Sequence, residues 1–386
     1  MKFKRIFLIV LDSVGIGEAH DADKFDDLNT NTVKHIIEKT GIKLHNLNNL
    51  GLDNLIYNND NNVNSYYTRG VEVSNGKDTL TGHLEMMGII TKKPFKTFLE
   101  TGFPNELINE IEKRTGRKVI GNCSASGTEI IERLGKQHLN TGDLIVYTSA
   151  DSVLQIAAHE DIISLDELYN ICSIVREITL NDKWKVGRVI ARPFNGTPGN
   201  FTRTPNRHDY ALNPVSETVL DYLKKDGYDV ISIGKISDVF NNCGITSSIK
   251  TIDNFDGINK IIEISKTKFS GLLFANLNDF DSKYGHRRDV VGYSNALKEF
   301  DDYLPDIINC LKFDDLIIIT ADHGNDPTYK GTDHTRENVP VIIYSKKFIE
   351  NSRLDSLNSF SDIGASIADN FNTKTPSGIS FLDKLK

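Results

Sequence analysis

Cysteine is scarce: the 386 residues hold four, Cys123, Cys172, Cys243 and Cys310, widely scattered and with no pair at metal-ligand or redox spacing. A thiolate metal site and a disulfide framework are thereby excluded, and a reducing cytoplasm is the expected setting. Long apolar runs are also missing. No stretch approaches the roughly eighteen continuous apolar residues of a membrane span, so no membrane partner is expected. The opening Met1-Lys2-Phe3-Lys4-Arg5 looks briefly like a signal peptide, but the apolar run from Ile6 to Leu11 stops at Asp12 and suits a buried strand better. A surplus of positive charge is lacking too. With 45 Lys and Arg against 53 Asp and Glu, the formal net charge is −8, which argues against a nucleic-acid surface. There is no repeat at solenoid periods. What remains is average globular composition, 39% hydrophobic and 25% charged, in a chain long enough for a large core and a second domain.

Arg5 to Leu11 is apolar and β-branched and ends at Asp12-Ser13-Val14-Gly15-Ile16-Gly17, the pattern of a buried parallel strand entering a loop. Tyr228 to Gly234 leads likewise to Lys235, Ser270 to Leu277 to Asn278-Asp279, and Asp315 to Thr320 to Ala321-Asp322-His323-Gly324. Helix patterns lie between, among them Val33, Ile36 and Ile37 before a stop at Gly41, and a run from Leu297 to Leu311 that Pro305 is expected to kink. Such alternation predicts an α/β fold, a mostly parallel sheet covered by helices on both faces, with ligands bound beyond the carboxyl ends of the strands. The middle of the chain has strands and helices of its own, at Asp143 to Thr148 and Val186 to Ala191, and reads as an insertion. The expected division is residues 1–93 and 213–386 as a core domain with 94–212 as an inserted α+β domain. The Gly, Pro and Asn-rich stretch Pro193 to Asn200 is expected to be a loop and hinge next to a basic cluster of Arg203, Arg207 and His208. Tyr57 to Asn64 is polar, without period, and reads as an exposed loop.

Three separated segments offer metal-type ligands: Asp12, then Asp281 and His286, then Asp322, His323 and His334. A single Asp after a strand is commonly a turn or helix cap. The tripeptide Asp322-His323-Gly324 after an apolar strand is harder to explain structurally, and six such ligands suffice for two ions. Mixed carboxylate and imidazole donors favour Mn²⁺, Zn²⁺ or Fe and leave positions open for phosphate oxygens. Two ions roughly 3.5–4 Å apart can hold the attacking and leaving oxygens of an in-line displacement. Lys77 to Glu85 adds two hydroxyls, Thr79 and Thr81, in a Gly-containing loop opening a helix. Thr79, activated by a metal, would serve as nucleophile; as a helix N-cap it would be merely structural.

These residues resemble the prokaryotic phosphopentomutases, within the superfamily of alkaline phosphatase and cofactor-independent phosphoglycerate mutase. The carrying segments are Leu11 to Gly17, Asp78-Thr79-Leu80-Thr81-Gly82-His83, Tyr147 to Val153, Phe201 to Asp209, and Thr320 to Asp326, and the match spans nearly the whole chain. The resemblance implies an alkaline-phosphatase-like core with a cap domain. Asp12, Asp322 and His323 would bind one Mn²⁺, and Asp281, His286 and His334 the other. Thr79 would carry the phosphoryl group, because superfamily members place the nucleophile four residues before the histidine of the Gly-His pair, here His83. Ser149 and Asp151 match cap residues that touch the sugar, and Arg188, Arg203, Arg207 and Lys235 the basic residues near substrate phosphate. Leu84 departs from the aromatic residue common after the Gly-His pair.

The implied activity interconverts the 1- and 5-phosphates of ribose or 2-deoxyribose, in nucleoside metabolism, through phosphothreonine and a 1,5-bisphosphate. Glucose 1,6-bisphosphate or ribose 1,5-bisphosphate would prime a discharged enzyme. The implied partners are small sugar phosphates, with no protein partner expected. A phosphatase or phosphoglycerate mutase of the same superfamily would share the ligands and differ in the cap. The haloacid dehalogenase type places a second Asp two positions after its nucleophile, where this chain has Val14. A binding module for sugar phosphate or metal explains the ligands but leaves a metal-adjacent Thr79 without a purpose.

Overall fold

A computed structural model describes residues 2–93, 95–149 and 152–386. It divides the chain into two compact units, residues 1–93 with 214–386, and residues 94–213.

In chain order the first unit opens with β1 (Arg5–Leu11), α1 (Thr32–Thr40), α2 (His45–Asn49), α3 (Leu52–Tyr57), β2 (Tyr66–Gly70) and α4 (Thr79–Met86). The second unit holds α5 (Asn105–Thr115), β3 (Val119–Ser124), α6 (Gly127–Thr141), β4 (Leu144–Thr148), β5 (Val153–His159), α7 (Leu165–Ile178), β6 (Arg188–Thr197), β7 (Asn200–Arg203) and β8 (His208–Ala211). The first unit then resumes with α8 (Val219–Lys225), β9 (Asp229–Ile233), α9 (Ile236–Val239), β10 (Ser247–Ile249), α10 (Asn254–Ser265), β11 (Gly271–Leu277), α11 (Val290–Cys310), β12 (Asp315–Thr320), β13 (Val339–Tyr344) and α12 (Ser361–Phe371).

The first unit is built on a seven-stranded sheet in the order β10-β9-β11-β1-β12-β13-β2. Pairings from β10 to β12 are parallel, and β13 and β2 add an antiparallel edge. Every residue of β1, β11 and β12 is buried, as continuous apolar runs demand of strands covered on both faces. Helices supply the cover in two groups: α1, α2 and α10 pack on α11, while α4 and α8 pack on α12. Pro305 lies inside α11, which is assigned unbroken from Val290 to Cys310. Where Arg5 starts β1 it stands opposite Asp315 of β12, and the two side chains form a buried ion pair. Among the described residues no helix is long and apolar enough to cross a membrane.

The second unit is a sheet of β3-β4-β5-β6-β7 with β8 on β6. Alternate side chains of its central strands point to opposite faces. Leu144, Val146, Leu154 and Ile156 join the core under α5 and α7, whereas Ile145, Tyr147 and Ala157 pack with Ile130 and Ile131 of α6. The stretch from Pro193 to Asn200 corrects the expected loop and hinge. It is a β-hairpin in which β6 runs on to Thr197 and pairs with β7 across Pro198-Gly199. Gly199 takes a left-handed conformation (φ +86°) of the kind that a type II turn requires after its proline, so the same Pro and Gly that suggest a loop close a hairpin.

Candidate metal centre and nucleophile

The carboxyl ends of β11, β1 and β12 lie side by side, held level by the pairings Leu11 with Leu277 and Val10 with Thr320. Asp12 directly follows β1, Asp322 and His323 follow β12, and Asp281 lies in a π-helical turn, Phe280–Gly285, after β11. Parallel strands in register therefore bring together acids that are some 300 residues apart in sequence.

Asp12, Asp322 and His323 are all buried and each offers one ligand atom within 4.8 Å of the others. His323 Nε2 stands 3.4 Å from Asp322 Oδ2 and 3.6 Å from Asp12 Oδ1. Its Nδ1 donates to Gly324 O at 3.0 Å, which turns the other nitrogen to the acids. Asp281, His286 and His334 form a second such group. His286 Nε2 is 3.2 Å and His334 Nε2 3.3 Å from the Asp281 carboxylate, and the two imidazole nitrogens are 3.1 Å apart. The groups adjoin: the rings of His323 and His334 have centroids 4.0 Å apart.

Two observations test whether a metal fits. Bonds of about 2.0–2.2 Å to one ion place neighbouring donor atoms roughly 3.0–3.5 Å apart, and the spacings within each group fall in or near this range. In addition, Asp12 Oδ1 and Asp322 Oδ2 are buried and accept no hydrogen bond from the described residues, a costly arrangement for carboxylates without a cation. Both groups fit divalent ions.

The charges are strongly coupled. Burial, then the facing Asp322 carboxylate, push the Asp12 carboxyl above its ordinary range. Burial also opposes ionisation of Asp322 and Asp281, yet the neighbouring imidazoles win: His323 and His83 hold Asp322 down, and His334 and His286 hold Asp281 well down. Lys235, just after β9, pairs with Asp12 Oδ2.

Thr79 opens α4, but Asp78 is the cap: its carboxylate accepts from Leu80 N and Thr81 N at 2.9 and 3.1 Å. Thr81 completes the capping box, with its hydroxyl donating to Asp78 O and accepting from Asp78 N, and so is occupied. The Thr79 hydroxyl takes no part in capping. It accepts from Lys235 Nζ at 2.9 Å and lies 3.3 Å from His323 Nε2, beside the first ligand group. Gly82 makes this approach possible, because a Cβ there would stand 2.2 Å from Asp322 O.

Several supporting residues have contacts that the sequence does not disclose. Buried His83 donates from Nδ1 to Thr79 O at 2.8 Å and lies 3.2 Å from Asp322 Oδ2. Buried Asn276, a polar break in the apolar run of β11, donates to Asp12 Oδ2 at 3.0 Å and is 3.3 Å from His83 Nε2. Ser13 N donates to Asp322 Oδ1 at 3.0 Å from a left-handed backbone, φ +69°. In the sequence Asn276 shows as a polar residue inside an apolar strand and His83 as the histidine of the Gly-His pair, but neither signal gives its partner.

In the second unit, Arg207 makes a two-pronged contact to Asp209, both arms at 2.6 Å, with Arg188 3.7 Å from the same carboxylate. The Arg203 guanidinium lies over Gly127 beside Tyr147. Ser149 Oγ is 3.5 Å from Gln155 Nε2, while Asp151 lies outside the described residues. Arg192, not singled out from sequence, joins this cluster: its Nε donates to Gln155 Oε1 at 3.0 Å, and burial, then Arg207, bring its pKa down to about 10.

The chain is similar over 98% of its length to a solved protein of Pyrococcus horikoshii, all of which is covered, at 13% identity and a TM-score of 0.50, a likeness of fold. A Leishmania mexicana phosphoglycerate mutase, solved at low cobalt concentration, aligns over 98% of this chain and 97% of its own, at 13% identity and a TM-score of 0.48. The model of the Metalloenzyme superfamily matches residues 4–375. With that match spanning nearly the whole chain, and two groups of residues that could hold metal ions gathered beyond its central strands, the protein belongs to the Metalloenzyme superfamily.

Proposed function

We propose that the protein is a phosphopentomutase that carries its phosphoryl group on Thr79. The observation that carries the phosphotransfer reading is the Thr79 hydroxyl: uncommitted to the helix cap, 2.9 Å from Lys235 Nζ and 3.3 Å from His323 Nε2. The choice of pentose phosphate rests on the sequence match of Tyr147 to Val153 and Phe201 to Asp209, which also gives residues 94–213 the role of a substrate-selecting cap. Asp12, Asp322 and His323 would hold one Mn²⁺, and Asp281, His286 and His334 a second. When bound, such ions neutralise phosphoryl charge and lower the pKa of a coordinated hydroxyl.

In the proposed reaction the Thr79 Oγ–P bond breaks as a free hydroxyl oxygen of the ribose monophosphate bonds to phosphorus. The proton lost by that hydroxyl ends on Thr79 Oγ1, which Lys235 Nζ faces. The resulting 1,5-bisphosphate turns over, and Thr79 takes back the other phosphoryl group. Positioning and charge provide most of the rate in such transfers. Glucose 1,6-bisphosphate would recharge a hydrolysed enzyme.

The test is conversion of ribose 1-phosphate to ribose 5-phosphate with Mn²⁺ and a trace of glucose 1,6-bisphosphate, with free phosphate measured in the same sample. Isomerisation without phosphate release is expected. Phosphate release alone would replace the mutase by a phosphatase, and turnover of phosphoglycerate instead would reassign the substrate. The Thr79→Ala variant should lose turnover while still binding metal, and chelation should abolish activity in a way Mn²⁺ restores.

A further inference from the structure

Arg287 and Arg288 follow the ligand His286, and an arginine beside a phosphate-handling site is ordinarily a phosphate binder. Arg288 is committed elsewhere. A guanidinium has five N–H donors, and each of those of Arg288 has an acceptor within the first unit. Nε donates to Gly331 O at 2.5 Å, and Nη1 to Gly285 O at 3.0 Å and to Asn325 Oδ1 at 2.5 Å. Nη2 donates to Asp333 O at 2.9 Å and to Lys330 O at 3.4 Å. No donor remains for a substrate oxygen.

What these bonds join is informative. The carbonyls of Lys330, Gly331 and Asp333 belong to the loop that ends in His334, and Gly285 belongs to the turn between Asp281 and His286. His286 Nδ1 donates to the carbonyl they leave over, Thr332 O, at 2.7 Å. By occupying Asn325 Oδ1, Arg288 also fixes that amide so that its Nδ2 faces Asp281 Oδ1 at 2.8 Å. Each member of the second ligand group is thus reached from one guanidinium through one neighbouring residue: Asp281 through Asn325, His286 through Gly285 and His334 through Asp333. The backbone of Arg288 is held at φ +55°, a left-handed conformation unfavourable for a non-glycine residue. None of its bonds reaches Asp12, Asp322 or His323.

We propose that Arg288 is a positioning residue: it clamps the loop of residues 330–334 onto the turn of residues 281–288, and its loss selectively loosens the ion held by Asp281, His286 and His334. This rests on the two-ion reading above. The test titrates Mn²⁺ alone into metal-stripped wild type, Arg288→Ala and Arg288→Lys, counting free Mn²⁺ by its paramagnetic resonance signal. Wild type should take two ions and show the spectrum of a coupled pair. Both variants should keep one ion at wild-type affinity and bind the second about 10–100-fold more weakly, the usual effect of losing a residue that orients ligands. Arg288→Lys keeps the charge and loses the fork, so its failure to rescue identifies geometry as the cause. Should Arg288→Ala fail to fold, Arg288→Lys decides alone. Two ions at wild-type affinity, or equal weakening of both, would overturn the proposal. A wild type that binds fewer than two ions would defeat the two-ion reading and this proposal together, and that result is visible before any variant is made.

Discussion

Replacing Gly82 by alanine puts the contact between Thr79 and the candidate metal-binding residues under direct test. A Cβ at this position would stand 2.2 Å from Asp322 O and 3.1 Å from Asp322 Cβ, whereas ordinary contacts begin at 3.4 Å. Helix α4 and the loop after β12 must therefore part by about 1 Å, with no flexible side-chain end to yield. Overpacking of this kind costs about 1–3 kcal/mol. At about 2–4 °C per kcal/mol for a domain of this size, the melting temperature should fall by roughly 2–12 °C. The same displacement carries Thr79 away from His323, and a misplacement of about 1 Å costs on the order of 100-fold in rate. Turnover, Mn²⁺ binding and thermal unfolding would be measured on one preparation. The sign is diagnostic, because helix propensity alone would make Gly→Ala stabilising by about 0.5–1 kcal/mol. A Gly82→Ala protein with a raised melting temperature and wild-type turnover would refute the packing of α4 on Asp322.

Thr81→Val should cost about 1 kcal/mol by breaking the capping box while leaving phosphoryl incorporation, read by intact mass, at Thr79; Thr79→Val should leave the melting temperature nearly unchanged and abolish incorporation. Arg5→Met should cost about 3–5 kcal/mol in chemical denaturation, because Asp315 would be left as an unpaired buried charge, and adding Asp315→Leu should recover most of the loss. Cys172 is buried and, by desolvation first and then Asp209, held well above the ordinary thiol range, so alkylation of the native protein should spare it and label it only on unfolding. The partly exposed Cys123, Cys243 and Cys310 serve as the internal comparison in the same mass spectrum.

The central strands were legible because burial on both faces leaves one signature, a short continuous apolar run: Ile6 to Leu11 and Leu316 to Ile319 carry it. Asp12, Asp322 and His323 were legible as candidate ligands because they closely follow such runs at a carboxyl end, whereas Asp281, His286 and His334 lie in the turn and loop beyond them. What the sequence concealed depends on partners far along the chain. Asn276 looks like a weak point in an apolar strand until Asp12 and His83 surround it. Thr79 is set apart from Thr81 in the sequence only by its place four residues before His83, and the physical difference, that the Thr81 hydroxyl is occupied by the Asp78 backbone, depends on the folded cap. Pro193 to Asn200 misleads for the opposite reason, since Pro and Gly punctuate loops and hairpins alike and the partner strand decides.

The two ligand groups are supported by different kinds of structure, and this bears on where the nucleophile sits. Asp12 and Asp322 leave adjacent strands of a buried sheet within two residues, and Ser13 N, Asn276 and His83 brace them from elements that cannot shift without opening the core. Asp281, His286 and His334 depend on a π-helical turn and a surface loop, joined by backbone carbonyls and one guanidinium. Local opening draws on the segments with fewest buried apolar contacts, so the second group is the more deformable. Thr79 is placed against the first, within reach of His323 and of the lysine paired with Asp12. In the proposed reaction Thr79 would have to hold its geometry to a fraction of an ångström, whereas an ion meeting a substrate that enters and leaves in more than one orientation would gain from ligands that can adjust. On that proposal the rigid half of the centre would hold the threonine oxygen and the loop-borne half would accommodate the exchange of substrate.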